Sequence, residues 1–230
     1  MRGGPRLAGI MTALALAAIW PLAALAHDVA QGDRAFVTAT HGPAIAAFLY
    51  LGAKHMVTGY DHILYLIGIV MVLRRLRDIL LYVSMFTIGH SLTLLLGVIF
   101  RTGANSHLVD AVIGLSIIYK GAENLGLLRR MGWSIDPRIA ILSFGLCHGL
   151  GLATKLLDLT ISPDGLIVNL ISFNLGVEVG QILILFFIVS LFNIWRTSPT
   201  FPKGTMLTNW ILIGCGAAIT FDQAKEFLTA

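Results

Sequence analysis

The chain has 230 residues, 57% of them hydrophobic and only 12% charged, with a mean hydropathy of +0.84. This excludes a soluble domain, whose surface carries about a quarter of charged residues, and points to an all-α, polytopic membrane helix bundle. The formal net charge is +4, but Arg2 and Arg6 lie in a leader expected to be removed. The remaining chain is close to balanced, and nucleic acid is not an expected partner.

Residues 1–26 read as a secretory signal peptide: Arg2 and Arg6, an apolar run from Leu7, a break at Pro21, and the small-x-small exit Ala24-Leu25-Ala26. Cleavage is expected after Ala26; an uncleaved first anchor is the alternative. Cleavage would expose an α-amine beside His27 and Asp28, a candidate external chelate. Residues 27–42 are then an extracytoplasmic segment, 43–222 the transmembrane bundle and 223–230 a tail.

Six apolar segments follow, at 43–73, 79–100, 108–125, 139–157, 166–195 and 206–221. All but the shorter last approach or exceed the ~20 residues that cross a bilayer, which predicts about six transmembrane helices. The first is long enough to hold an interfacial helix, a break near Gly59 and a crossing. "RTSPTFPKGT" (196–205) reads as a Pro-broken loop. Arg74, Arg75, Arg77, Arg129, Arg130, Arg138, Arg196 and Lys203 cluster in short connections on one side, facing the sparser Arg34, Lys54, Arg101, Lys155 and Lys225. The positive-inside rule puts both mature termini in the periplasm of a bacterial inner-membrane protein. Cys147 and Cys215 form neither a CxxC site nor a disulfide framework.

An ionisable group in hydrocarbon costs on the order of 2.5 to 3.5 kcal/mol on insertion scales, so the polar residues of the spans are the functional candidates. They are His55, Asp61 and His62 in the first; Thr87, His90 and Ser91 in the second; Lys120, Glu123 and Asn124 in the third; His148 beside Cys147 in the fourth; and Asn174, Glu178 and Gln181 in the fifth. At about 1.5 Å per residue, His62, His90 and His148 share one level near mid-bilayer, with Glu178, Asp61 and His55 nearer the outside. Asn174, Glu178 and Gln181 fall on one stripe at i, i+4, i+7, with Ser172, Gly176 and Gly180 as a small-residue ridge roughly opposite. Gly145, Gly149 and Ala153 would admit a neighbouring backbone and present His148 inward. Lys120 and Glu123 are spaced to neutralise one another as a structural pair near the inner face.

Imidazoles with carboxylate and amide oxygen suit a borderline divalent ion such as nickel, cobalt or zinc, and the lack of a Cys pair or Met cluster argues against copper(I). The expected ligands are His55, Asp61, His62, His90, His148 and Glu178, with Thr87, Ser91, Asn174, Gln181, Lys120, Glu123 and Asn124 as supporting polar groups. One geometric condition applies. His55 and His62 are about 10.5 Å apart along a straight helix, so both reach one ion only if the helix breaks at Gly59; otherwise they are outer and inner waypoints. The alternative is that each histidine is satisfied locally by Ser, Thr or backbone groups.

The run "HMVTGYDH" has the form His, five residues, Asp-His. Together with "FTIGHSLTL", "SIIYKGAENL", "FGLCHGLGLA" and "FNLGVEVGQ", in that order, it resembles the HupE/UreJ family over about residues 44–190. The resemblance implies a small polytopic permease for nickel, or in some members cobalt, that supplies hydrogenase or urease maturation, with His55, Asp61 and His62 required for transport. The nickel-permease pattern Phe-His-Gly-x-x-His-Gly-x-Glu is met only in part: Phe144, His148 and Gly149 are present, the first His and the Glu are not. That departure fits the second branch of the family. Two rival readings remain at this stage: an intramembrane zinc hydrolase with Glu178 as general base and Ser91 as a nucleophile if a base lies near, and a non-transporting accessory for metalloenzyme assembly. No ATP-binding motif is present, so a permease would draw on a gradient, coupled protons or a partner.

Overall fold

The computed structural model describes residues 31–229 except 134, 160 and 161. The expected signal peptide, its cleavage site, and His27 with Asp28 lie outside the described residues. The described chain is helical, without strands: α1 (Gln31–Ala39), α2 (Ile45–Thr58), α3 (Tyr60–Val72), α4 (Leu76–Ile99), α5 (Ser106–Asn124), the single turn α6 (Leu127–Arg130), α7 (Pro137–Leu157), α8 (Leu166–Trp195) and α9 (Phe201–Thr229).

Local signals place the ends. The Asn105 side chain accepts from the Leu108 N–H to cap α5. Asp136 does the same for Arg138 N at the start of α7, with Pro137 in the first turn, where its missing N–H costs nothing. At the end of α5, Gly126 adopts φ +71°, a left-handed stop suited to glycine. Helix α9 begins at Phe201, earlier than the Pro-broken loop suggested, because Pro202 occupies its first turn. It runs on to Thr229, where His107 of α5 holds Gln223 and Glu226.

Four helices are long and apolar enough to cross a membrane: α4, α7, α8 and α9. Helices α2 and α3, bent by 62° at a one-residue break, together qualify as a fifth, a broken span or re-entrant loop. Helix α5 occupies the place of the expected third span, but with Asp110, Lys120 and Glu123 in 19 residues it does not qualify on composition. The expected count of six thus exceeds the spans found among the described residues. The charges of α5 are internally matched, Lys120 Nζ lying 2.7 Å from Glu123 and Asp110 2.7 Å from Lys155 Nζ of α7.

The helices pack as three tight pairs, α2 with α8, α4 with α7 and α5 with α9, around a central α3 whose residues are mostly buried. Each pair closes on a seam of small residues. A Cβ at Gly52 would strike the Phe173 carbonyl, and one at Gly176 the Leu49 carbonyl. Across the second pair, a Cβ at Gly149 would strike the carbonyl of His90. This matches the ridge read from Ser172, Gly176 and Gly180, and the Gly145, Gly149, Ala153 repeat. Arg196, just past α8, closes the bottom of α3 by donating to the Val70 and Leu73 carbonyls, the last of which would otherwise lack a partner. Outward faces are apolar, with Phe187 and Ile194 69% and 73% exposed, as a lipid-facing surface requires.

Gly176→Leu should therefore separate α8 from α2. Overpacking of this kind costs typically 1 to 3 kcal/mol, and a lower melting temperature with a broadened size-exclusion profile in detergent is expected. An unchanged melt would show that the seam is not needed.

Candidate metal centre

The centre begins with a backbone break. Gly59 leaves the helical region at φ −73°, ψ 99°, its N–H closing α2 on the His55 carbonyl (2.9 Å) and its carbonyl accepting from Ile63 N (3.1 Å). Its φ is open to any residue, so conformational freedom does not explain the glycine. Space does: a Cβ there would lie 2.7 Å from His62 Nδ1, 2.9 Å from His55 O and 3.0 Å from Asp61 Oδ1. The bend folds the last turn of α2 against the first turn of α3, and the His55 and His62 rings come to 5.1 Å between centroids. The geometric condition set by their spacing is met.

Helix α4 adds His90, its ring 5.9 Å from His62 and 6.3 Å from His55; α7 adds His148, 5.1 Å from His62. Two groups result whose ligand atoms lie within 4.8 Å of one another: His55, His62 and His90, and Asp61, His62 and His148. His62 belongs to both. His62, His90 and His148 are 3%, 1% and 3% exposed. Phe86 lies against three of the rings, 4.9 Å from His148, 5.9 Å from His62 and 6.4 Å from His90, while Phe173 covers His55 at 5.8 Å.

The buried nitrogens are the decisive feature. His55 Nε2, His62 Nε2, both ring nitrogens of His90 and His148 Nε2 have no hydrogen-bond partner among the described residues. Each unsatisfied buried polar atom costs roughly 1 to 3 kcal/mol, and native interiors rarely concentrate them. The nitrogens that are engaged set the direction of those that are not. His148 Nδ1–H donates to the Phe144 carbonyl at 2.7 Å, which fixes the tautomer and leaves the Nε2 lone pair facing Asp61 Oδ2 at 4.0 Å. His62 Nδ1 lies 3.1 Å from Asp61 Oδ1. Such a set of imidazoles and one carboxylate could hold a metal ion.

The other sequence candidates divide. Thr87 of α4 bonds Gln181 Oε1 of α8, and Gln181 Nε2 reaches the Val83 carbonyl at 3.4 Å, so this pair clamps two helices together. Asn174 is buried; its Nδ2 donates to Leu170 O and its Oδ1 has no partner among the described residues. Lys120 and Glu123 pair as expected, and Asn124 Nδ2 ties the Gly68 carbonyl (2.8 Å) to Asn209 Oδ1 (2.9 Å), joining α3, α5 and α9. Cys147 is a half-buried free thiol outside both groups.

Glu178 corrects the expectation: it is exposed on the outer face of α8 and belongs to neither group. At about 100° per residue it stands roughly 40° from Asn174, on the side away from Gln181. The buried arc of α8 runs through Leu170, Phe173, Asn174, Val177 and Gln181, so Glu178 falls just past its edge. Ser91 Oγ is buried with no hydrogen-bond partner among the described residues. Phe86 went unread in the sequence, although it is one turn before His90 on the same face. Tyr65, whose buried hydroxyl lacks a described partner and whose ring lies 6.2 Å from His148, was hidden in an apolar run.

A family model described as HupE / UreJ protein matches residues 31–227. The chain belongs to the HupE/UreJ family. The match extends beyond the 44–190 over which the motifs were quoted and takes in α1 and nearly all of α9. No curated protein and no solved structure matches the chain.

Gly59→Ala should push His62 and Asp61 apart. A fall in melting temperature equivalent to about 1 to 3 kcal/mol is expected from the overpacking, whereas Gly132→Ala, at a surface turn with open space around it, should act through its φ of +80° alone. Equal, small effects from the two would argue that the break has slack.

Proposed function

We propose that this HupE/UreJ member is an inner-membrane permease for a divalent transition-metal ion, nickel or cobalt with zinc as a further candidate, held by His55, Asp61, His62, His90 and His148. The observation that supports this reading is the convergence of four rings from α2, α3, α4 and α7 with five of their nitrogens buried and without a partner among the described residues. The family adds its general link to nickel or cobalt transport and to urease or hydrogenase maturation. In this reading α5 supplies a sixth crossing, its charges carried as pairs, and the Arg-rich connections face the cytoplasm, where maturation machinery would receive the ion. The ion is substrate, taken from the periplasm and partly dehydrated at the centre. The zinc-hydrolase reading loses support, since Glu178 faces outward and Ser91 Oγ bonds no base among the described residues.

Nickel(II) uptake into proteoliposomes tests the proposal. Wild-type flux should fall at least about tenfold in His62→Ala, because an ion at either group loses a ligand, and should stay within about twofold in Glu178→Gln. Neutral imidazole ligates and imidazolium does not, so uptake should decline once the medium is acid enough to protonate the ligands. Tightly bound metal with no wild-type flux would sink the permease and favour the accessory role.

A further inference from the structure

The two ligand groups overlap, and the overlap bears on how many ions the protein holds. We infer that they are two alternative stations for a single ion, with His62 the pivot that keeps hold of the ion as it passes between them. This rests on the metal-carriage reading of the same residues. The first station is all nitrogen, from His55, His62 and His90; the second combines the Asp61 carboxylate with His62 and His148. A first-row ion draws its ligands to about 2.0 to 2.2 Å, so two filled stations would both have to be bound by the one His62 ring. His62 would then have to serve both ions at once, giving up the proton that lies between its Nδ1 and Asp61 Oδ1, 3.1 Å apart.

Charge argues the same way. Asp61 is the one acid in the two groups, and the next candidate, Glu178, faces away. Two dications side by side in a site this buried would have a single negative charge to offset four positive ones, and the repulsion is little screened there. One ion meets no such penalty.

The ligands also differ in freedom in the way a hand-over requires. His148 is fixed by its bond to the Phe144 carbonyl. His90 has neither nitrogen tied to a described group, so no hydrogen bond competes with an ion for its ring. His62, tethered through Asp61, stays within reach of both stations. Moving the ion then exchanges His55 and His90 for Asp61 and His148 about a ligand that never leaves, and full rehydration inside the membrane is avoided.

The test uses purified full-length protein with nickel(II), reading stoichiometry by elemental analysis and ligand type by X-ray absorption, beside liposome uptake. Wild type should hold one ion per chain. His90→Ala should keep one ion with an oxygen in its shell, and Asp61→Ala one ion with nitrogen ligands from the protein. Each should bind within about tenfold of wild type yet transport at least tenfold more slowly. Two ions per wild-type chain would overturn the inference, and because that measurement uses no variant it survives any misfolding. Undiminished flux in both variants would overturn it too, as would the same coordination shell in wild type, His90→Ala and Asp61→Ala. A wild type that binds no metal would instead bring down the carriage reading beneath it.

Discussion

One break in one helix governs the rest of the molecule. Without the extended residue at Gly59, His55 and His62 would stand on a single rod, about 10.5 Å apart along its axis. With it, two half-helices meet at 62° and their facing ends hold two imidazoles and a carboxylate at close quarters. A broken helix within a membrane leaves backbone groups that lipid cannot satisfy, so the break persists only where neighbours enclose it. Here α8 packs along α2, and α3 is walled in on all sides. The Arg196 guanidinium closes the far end of α3 by taking the Val70 and Leu73 carbonyls.

Packing and chemistry share residues to an unusual degree. The seam between α4 and α7 brings Gly149 onto the carbonyl of His90, so the close approach of the two backbones also sets the spacing of His90 and His148. The ring of Phe86 occupies the same seam and touches three of the imidazoles. The spacing of these rings is consequently held by helix-to-helix contact, which for two closely packed backbones is stiff. The polar network of Lys120, Glu123, Asn124 and Asn209 does a separate task, binding α5 and α9 to α3.

Much of this was legible in the sequence. Composition excludes everything but a membrane bundle, and the small-residue ridges of α7 and α8 predict where backbones touch. Similar distances from the Arg-rich ends of their segments put His62, His90 and His148 at one level, and the structure brings the three rings together. Two points lay beyond such counting. Glu178 shares a stripe with Asn174 and Gln181 on a helical wheel, but a wheel shows neighbours without showing where the packed arc stops, and Glu178 stands just beyond it. The third span was counted by its apolar residues, whereas its charges are balanced by partners such as Lys155 on another helix, which no local window shows. Phe86 and Tyr65 went unread because an aromatic residue in a span looks like ordinary packing until its neighbours are known.

The two halves around Gly59 also bear on how the protein is made. With 14 and 13 residues, neither reaches the ~20 needed to cross a bilayer alone. Each relies on the other, and on α8 packed along α2, to be enclosed. The imidazole cluster likewise draws on helices from α2 to α7, so it is complete only when most of the chain is in place.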